Sequence, residues 1–184
     1  MHPQYEYRFW NDRNAEEFVA REFPEMLDTW NSYRYRIQKV DSLRYMVLYA
    51  YGGECVQTSA KKNELFPPAS EKKVVRSESI AVVNSKPLHS PGIYLDLDLQ
   101  CLRPLDPLRQ FNFVAVVAAN PTGISNGFLM ISPRHPFLKH VIQNLPRYNI
   151  NWLGLPYATV MFSTGCHFLS YVPTSNMTYR KLNH

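Results

Sequence analysis

Apolar positions recur at helical spacing over two stretches near the start of the chain. Ala15, Phe18, Val19, Phe23 and Met26 share one face, which predicts a packing helix over about residues 14–27. Asp12 or Asn14 can cap its start, Glu16 and Glu17 suit its first turn, and Pro24 complicates its end. Ile37, Val40, Leu43, Val47 and Tyr51 form a second stripe, and the glycines at 52 and 53 can end that helix in a left-handed turn. Ahead of the first helix, Tyr5, Tyr7 and Phe9 alternate as in a short strand.

The second half reads as strands alternating with a helix. Residues 93–98 (Ile-Tyr-Leu-Asp-Leu-Asp) form a short apolar segment that ends in two acids, residues 113–117 suggest a strand, and residues 123–130 suggest a loop entering another. The apolar run over 111–119 is far short of the roughly 20 residues of a membrane span and predicts a buried strand. A helix over about 136–144, preceded by Ser132 or Arg134, would turn Phe137, Val141, Ile142 and Leu145 to the core. These elements predict an α/β domain.

Between the halves the character changes. Residues 54–92 hold paired lysines at 61–62 and 72–73, prolines at 67, 68, 87 and 91, and many Ser and Glu, with only 74–75 and 80–83 as short apolar pieces. A structureless connection of this length is unusual in a compact domain. The expected organisation is one domain in two parts, 1–53 and 93–184, around a flexible insertion at 54–92. The insertion is either a flap over a cleft or translated intervening sequence, and the second is preferred because it separates a clean Gly-Gly end from a clean Ile-Tyr start.

Composition narrows the function classes. At 184 residues, with 45% apolar residues, 12 Tyr, 10 Phe and 3 Trp, the chain can build one sizeable core. The formal net charge of +5 comes without an arginine-rich run, so it suits an anionic small-molecule substrate better than nucleic acid. Cys55, Cys101 and Cys166 have no metal-ligand spacing, and His135 and His140 share no constellation with a third ligand. The first residues contain no apolar signal segment, and Asn176-Met177-Thr178 is one glycosylation acceptor sequence.

Two pairs of charged residues are the candidates for chemistry. Asp96 and Asp98 lie two positions apart where a strand becomes a loop, so both carboxylates point to one side and could grip a divalent cation. Asp41 and Arg44 lie three apart on the second helix and can face the same way. That pair reads either as a surface ion pair, contributing about 0.2–0.5 kcal/mol, or as part of a binding site.

Residues 3–10, 37–53, 93–107, 123–136 and 144–165 carry a resemblance to the Och1-like glycosyltransferases with an Asp-Xaa-Asp sugar-binding region, glycosyltransferase family 32, and within it to fungal inositol phosphoceramide mannosyltransferases. Its strongest part is Asp41-Ser42-Leu43-Arg44-Tyr45, then Leu48-Tyr49, Gly52-Gly53 and, after the interruption, Ile93-Tyr94-Leu95-Asp96-Leu97-Asp98. The resemblance implies a GT-A-like, Rossmann-like fold with a mostly parallel sheet. It implies that Asp96 and Asp98 hold Mn2+ or Mg2+ as catalytic residues, and that Asp41, Arg44, Tyr94 and Asn126 hold the nucleotide-sugar, GDP-mannose. Gly127 stands where relatives often place an acid, and Cys166 follows the Thr164-Gly165 turn where proline is usual. The implied reaction is transfer of mannose, with retention, to inositol phosphoceramide or a similar glycosphingolipid precursor, in a Golgi or other secretory-pathway membrane. A glycoprotein glycan as acceptor, or an inactive truncated relative, are the alternatives. Relatives start with an additional strand and continue past the point matching His184, so an incomplete domain is expected.

Overall fold

The computed structural model describes residues 5–52, 80–85, 92–95, 106–117 and 123–172. Strand β1 (Tyr5–Trp10) opens the chain, as its alternating aromatics suggest. Helix α1 (Asp12–Glu22) begins earlier than predicted because Asn11 is the cap. The Asn11 side chain accepts from the backbone of Asn14 at 3.0 Å, and Asn14 returns a bond to the Asn11 N–H at 2.6 Å. The helix stops before Pro24, which starts a single 3-10 turn, and the chain then forms a separate short helix α2 (Leu27–Ser32).

Helix α3 (Arg36–Tyr51) ends at Gly52, whose φ of +57° is the positive value the paired glycines were expected to supply. Its predicted apolar stripe is too narrow. Every residue from Asp41 to Leu48 is buried, whereas Ile37 at the start is exposed. A helix covered all round must find partners for its polar side chains, and those partners define the site below.

Strands β2 (Ile80–Ser85), β3 (Gly92–Leu95), β4 (Phe113–Val117) and β5 (Ile124–Ile131) complete a sheet of order β1-β2-β3-β5-β4. All four described pairings are antiparallel, so the mostly parallel GT-A-like sheet is not what these strands form. The reason is local. Strand β2, from inside the 54–92 segment, runs back between β1 and β3, and β5 runs back between β3 and β4. Strands β1 and β3 therefore still point the same way. The remainder of residues 54–91 lies outside the described residues. The expected buried strand over 111–119 is also corrected: β4 is a sheet edge, with Val116 and Val117 exposed.

Helix α4 (Pro136–Tyr148) is longer than predicted and presents Phe137, Val141, Ile142 and Leu145 to the core as expected. Its cap is His135, whose Nδ1 accepts from the Phe137 N–H at 3.2 Å, rather than Ser132 or Arg134. Burial lowers the His135 pKa, consistent with a neutral ring acting as acceptor. Two further helices, α5 (Pro156–Ser163) and α6 (Cys166–Tyr171), follow. The core joins α1, α3, α4, α6 and β5, with Phe168 of α6 packed against Tyr45 and Tyr148 at ring separations of 6.3 and 5.1 Å. Among the described residues, no helix is long and apolar enough to cross a membrane.

Candidate active site

The buried face of α3 is organised around Asp41. Its Oδ1 accepts from the Arg44 guanidinium at 3.0 Å and from Asn126 Nδ2 at 3.1 Å, and its Oδ2 accepts from the Thr164 hydroxyl at 3.1 Å. Arg44 also donates to the backbone carbonyl of Asn126 at 2.6 Å. Asp41 and Arg44 are only 4% and 3% exposed, so the reading of a surface ion pair is overturned. One carboxylate thus holds α3 to the start of β5 and to the turn after α5.

The same stripe of α3 carries further bonds. Tyr45, one turn from Asp41, donates to the Thr164 carbonyl at 2.6 Å, and burial pushes its hydroxyl pKa far up, so it stays a donor. One turn the other way, Gln38 donates to Ser163 Oγ at 2.8 Å and accepts from the Tyr35 N–H at 3.0 Å. Gln38 and Tyr45 were not among the sequence candidates. The signal that finds them is spacing, since positions three before and four after Asp41 share its face.

The remaining predicted residues fall around this centre. Asn126 is brought to Asp41 as described, while Tyr94 pairs in backbone register with Leu129 and Val82, its side chain lying outside the described residues. Asp96 and Asp98 also lie outside them. The last residue of β3, Leu95, pairs with Phe128, two residues from Asn126. Cys166, half-buried and free, has its thiol pKa raised chiefly by burial, which suits a packing role and not a reactive thiolate. Among the described residues, no three His, Cys, Asp or Glu side chains could together hold a metal ion, and neither His135 nor His140 is in such a group. Asp41 itself is committed to Arg44, Asn126 and Thr164.

Register places these pieces at one edge of the sheet. Trp10 ends β1 opposite Ile80, and Leu95 ends β3 one position beyond the Val82–Tyr94 pair. The ends of β1 and β3 therefore flank the beginning of β2, roughly 10 Å apart at two strand spacings. Strand β5 runs the opposite way, so its beginning, with Asn126, lies at the same edge. A cavity of about 310 Å³ opens beside Trp10, walled by Trp30, Ala15, Val40 and Leu43 and edged by Asp12, Arg36 and Lys39. Arg36 reaches Asp12 at 3.0 Å across the gap between α1 and α3, and Lys39 Nζ lies 5.3 Å from the Trp30 ring centre.

Comparison with known proteins finds a partial family match and several relatives. Residues 1–54 match the family described as "Glycosyltransferase sugar-binding region containing DXD motif". The match holds the Asp41 and Arg44 positions and ends at the start of the intervening segment, ahead of Asp96 and Asp98. The particular relatives are fungal. The chain is 37% identical over 172 residues to "Inositol phosphoceramide mannosyltransferase 3" of Schizosaccharomyces pombe, covering 94% of this chain and 37% of that protein. It is 35% identical over 172 residues to "Mannosyl phosphorylinositol ceramide synthase CSH1" of Saccharomyces cerevisiae, covering 94% of this chain and 35% of that protein. The chain is thus related to fungal mannosyltransferases at moderate identity and spans little more than a third of their length. No solved structure matches it.

Proposed function

We propose that this chain forms the nucleotide-sugar-binding part of a metal-dependent hexosyltransferase. The reaction is retaining transfer of mannose from GDP-mannose to a glycosphingolipid precursor such as inositol phosphoceramide, at a Golgi or other secretory-pathway membrane. The observation that carries this reading is the shared sheet edge. It gathers the Trp10 cavity, the Asp41–Arg44–Asn126 cluster and the end of β3, from which Asp96 is the next residue and Asp98 the third. Strands β1 and β3 run the same way and both end here, beside the beginning of β5.

In this reading the aromatic wall of Trp10 and Trp30 receives the flat guanine ring, at a rim that carries Asp12 and Glu16 as well as Arg36 and Lys39, with Arg36 paired to Asp12. Arg44 already donates to Asp41 and Asn126, so it contributes charge and rigidity near the diphosphate rather than an unoccupied fork. Asn126 is half-buried and held by Asp41 near the start of β5, and in this reading it orients a sugar hydroxyl. Asp96 and Asp98 would hold Mn2+ or Mg2+, which when bound supplies positive charge against the diphosphate leaving group. Residues two apart in an extended chain point to one side, an arrangement that would suit this pair.

Calorimetry with GDP tests the assignment. Binding is expected only when Mn2+ or Mg2+ is present, and Asp98→Ala is expected to abolish it without lowering the melting temperature. GDP binding that survives both chelation and Asp98→Ala would sink the metal-dependent donor reading.

A further inference from the structure

Among the described residues, most of the exposed large apolar side chains lie together at the turn between α4 and α5 and on the first turn of α5, with Ile37, Val116 and Val117 elsewhere. Ile150, Trp152, Leu155 and Tyr157 are exposed there, Leu153 is 92% exposed, and Tyr171 of α6 adds a further ring. From Tyr148 to Val172 the sequence has no Asp, Glu, Lys or Arg, against 19% of the whole chain. Most exposed turns are polar. This turn has no charged side chain of its own.

The turn is rigid rather than loose. The Leu155 N–H donates to the Trp152 carbonyl at 2.8 Å, and the two central residues, Leu153 and Gly154, have φ of +50° and +72°, as in a type I′ turn. That conformation suits asparagine or glycine; leucine adopts it against its own sterics. A side chain added at Gly154 would meet nothing within 4 Å, so that face of the turn is open. Behind it, the Trp152 backbone N–H donates to the Thr159 hydroxyl at 3.0 Å and the Trp152 ring packs on Phe162 at 4.9 Å; Phe162 stacks on His167 at 4.9 Å and His167 on Tyr171 at 6.2 Å. A row of rings on α5 and α6 therefore braces a projecting leucine that contributes nothing to the core.

We propose that residues 150–157, with the ring row beside them, are a membrane-docking surface that seats the chain on the interface of a lipid bilayer. Leucine and isoleucine at the tip gain by leaving water, and tryptophan and tyrosine are the side chains that favour the headgroup boundary. Within residues 148–172 no charged side chain has to be desolvated for the tip to enter. Helix α5 starts at this turn and ends about 12 Å away at Ser163, next to the Thr164 hydroxyl that holds Asp41. Docking through the tip would thus hold the candidate active site close to the lipid surface, where a lipid-linked acceptor presents its headgroup. The proposal stands on the exposed surface itself and does not require the donor reading.

The test uses the full chain and phosphatidylcholine vesicles, some with bromine on the acyl chains. Trp10 and Trp30 are buried, so quenching by brominated lipid reports on Trp152. The parent chain should float with vesicles and show quenching. Leu153→Asn should weaken vesicle partitioning about tenfold, the equivalent of one leucine's burial, while keeping the turn, because asparagine accepts positive φ. Leu153→Asn paired with Leu155→Ser should remove partitioning, with thermal melting and Mn2+-dependent GDP binding unchanged. Absence of quenching in the parent chain, or variants that partition as well as the parent, would overturn the proposal. So would sedimentation showing a parent dimer that Leu153→Asn dissociates and vesicles do not bind, which would assign the surface to a second copy.

Discussion

Replacing Asp41 by alanine probes both the fold and the site. In the parent, one buried carboxylate receives bonds from buried Arg44 and Thr164 and from half-buried Asn126. Its removal leaves the Arg44 cation buried beside an uncompensated gap. Breaking a buried pair in this way costs about 3–5 kcal/mol, several times the cost of losing a surface pair. Against a typical total of about 5–15 kcal/mol, that is a large fraction of the stability. With a urea slope of about 2 kcal/mol per molar, the unfolding midpoint should fall by about 2 M.

The companion variant removes both charges. Asp41→Ala with Arg44→Met replaces the pair by apolar groups, and well-packed apolar replacements of buried pairs are often close to neutral. Midpoints followed by circular dichroism should therefore recover most of the loss, while GDP binding, if Arg44 and Asn126 serve the donor, should not return. A single-variant loss below about 1 kcal/mol, or a double variant as unstable as the single one, would refute the buried, mutually dependent pair.

Three further outcomes follow from the geometry. Gly52→Ala places a Cβ 2.8 Å from Pro133 Cδ at a φ of +57°, so a loss of about 2 kcal/mol or more is expected in thermal melts; a loss under about 0.5 kcal/mol contradicts the close approach. Burial depresses the His135 pKa, so its contribution to stability is complete above about pH 6.5 and is lost as pH falls through the lowered folded value. His135→Asn keeps a helix cap but cannot titrate, so its urea midpoint should depend less on pH between 7.5 and 5 than the parent's, and equal slopes would refute this. Deleting residues 54–91 removes β2 and leaves its six register partners on β1 unpaired, so the chain should lose on the order of 3 kcal/mol or fail to fold; an unchanged or raised melting temperature would show that β2 contributes nothing.

What could be read from the sequence depended on how local the cause was. Helix α3, the Gly52 turn, β4 and the core face of α4 follow from spacing and backbone preference, and each appeared close to its expected bounds. The end of α1 could be suspected from Pro24, while its cap was misplaced because Asn11, Asp12 and Asn14 are all good capping residues in sequence. The sheet was less legible. Ile80–Ser85 is a short apolar piece in a polar stretch, and its partners, β1 and β3, are set by pairings that no local pattern specifies.

The candidate site shows the same division. The spacing of Asp41 and Arg44 put them on one helix face, yet it could not say whether that face met water or β5. What decides it is the protein on the other side: Asn126 and Thr164 stand 85 and 123 residues further on and supply the bonds that make burial of the charges possible. A buried aspartate with three partners is a costly way to build a core, since apolar residues of similar volume can be as stable. Such a cluster is warranted when it fixes positions that function requires. Here it fixes the start of β5 against α3, at the edge where β1 and β3 both end, and this makes the cluster more informative about the donor site than either charged residue considered alone.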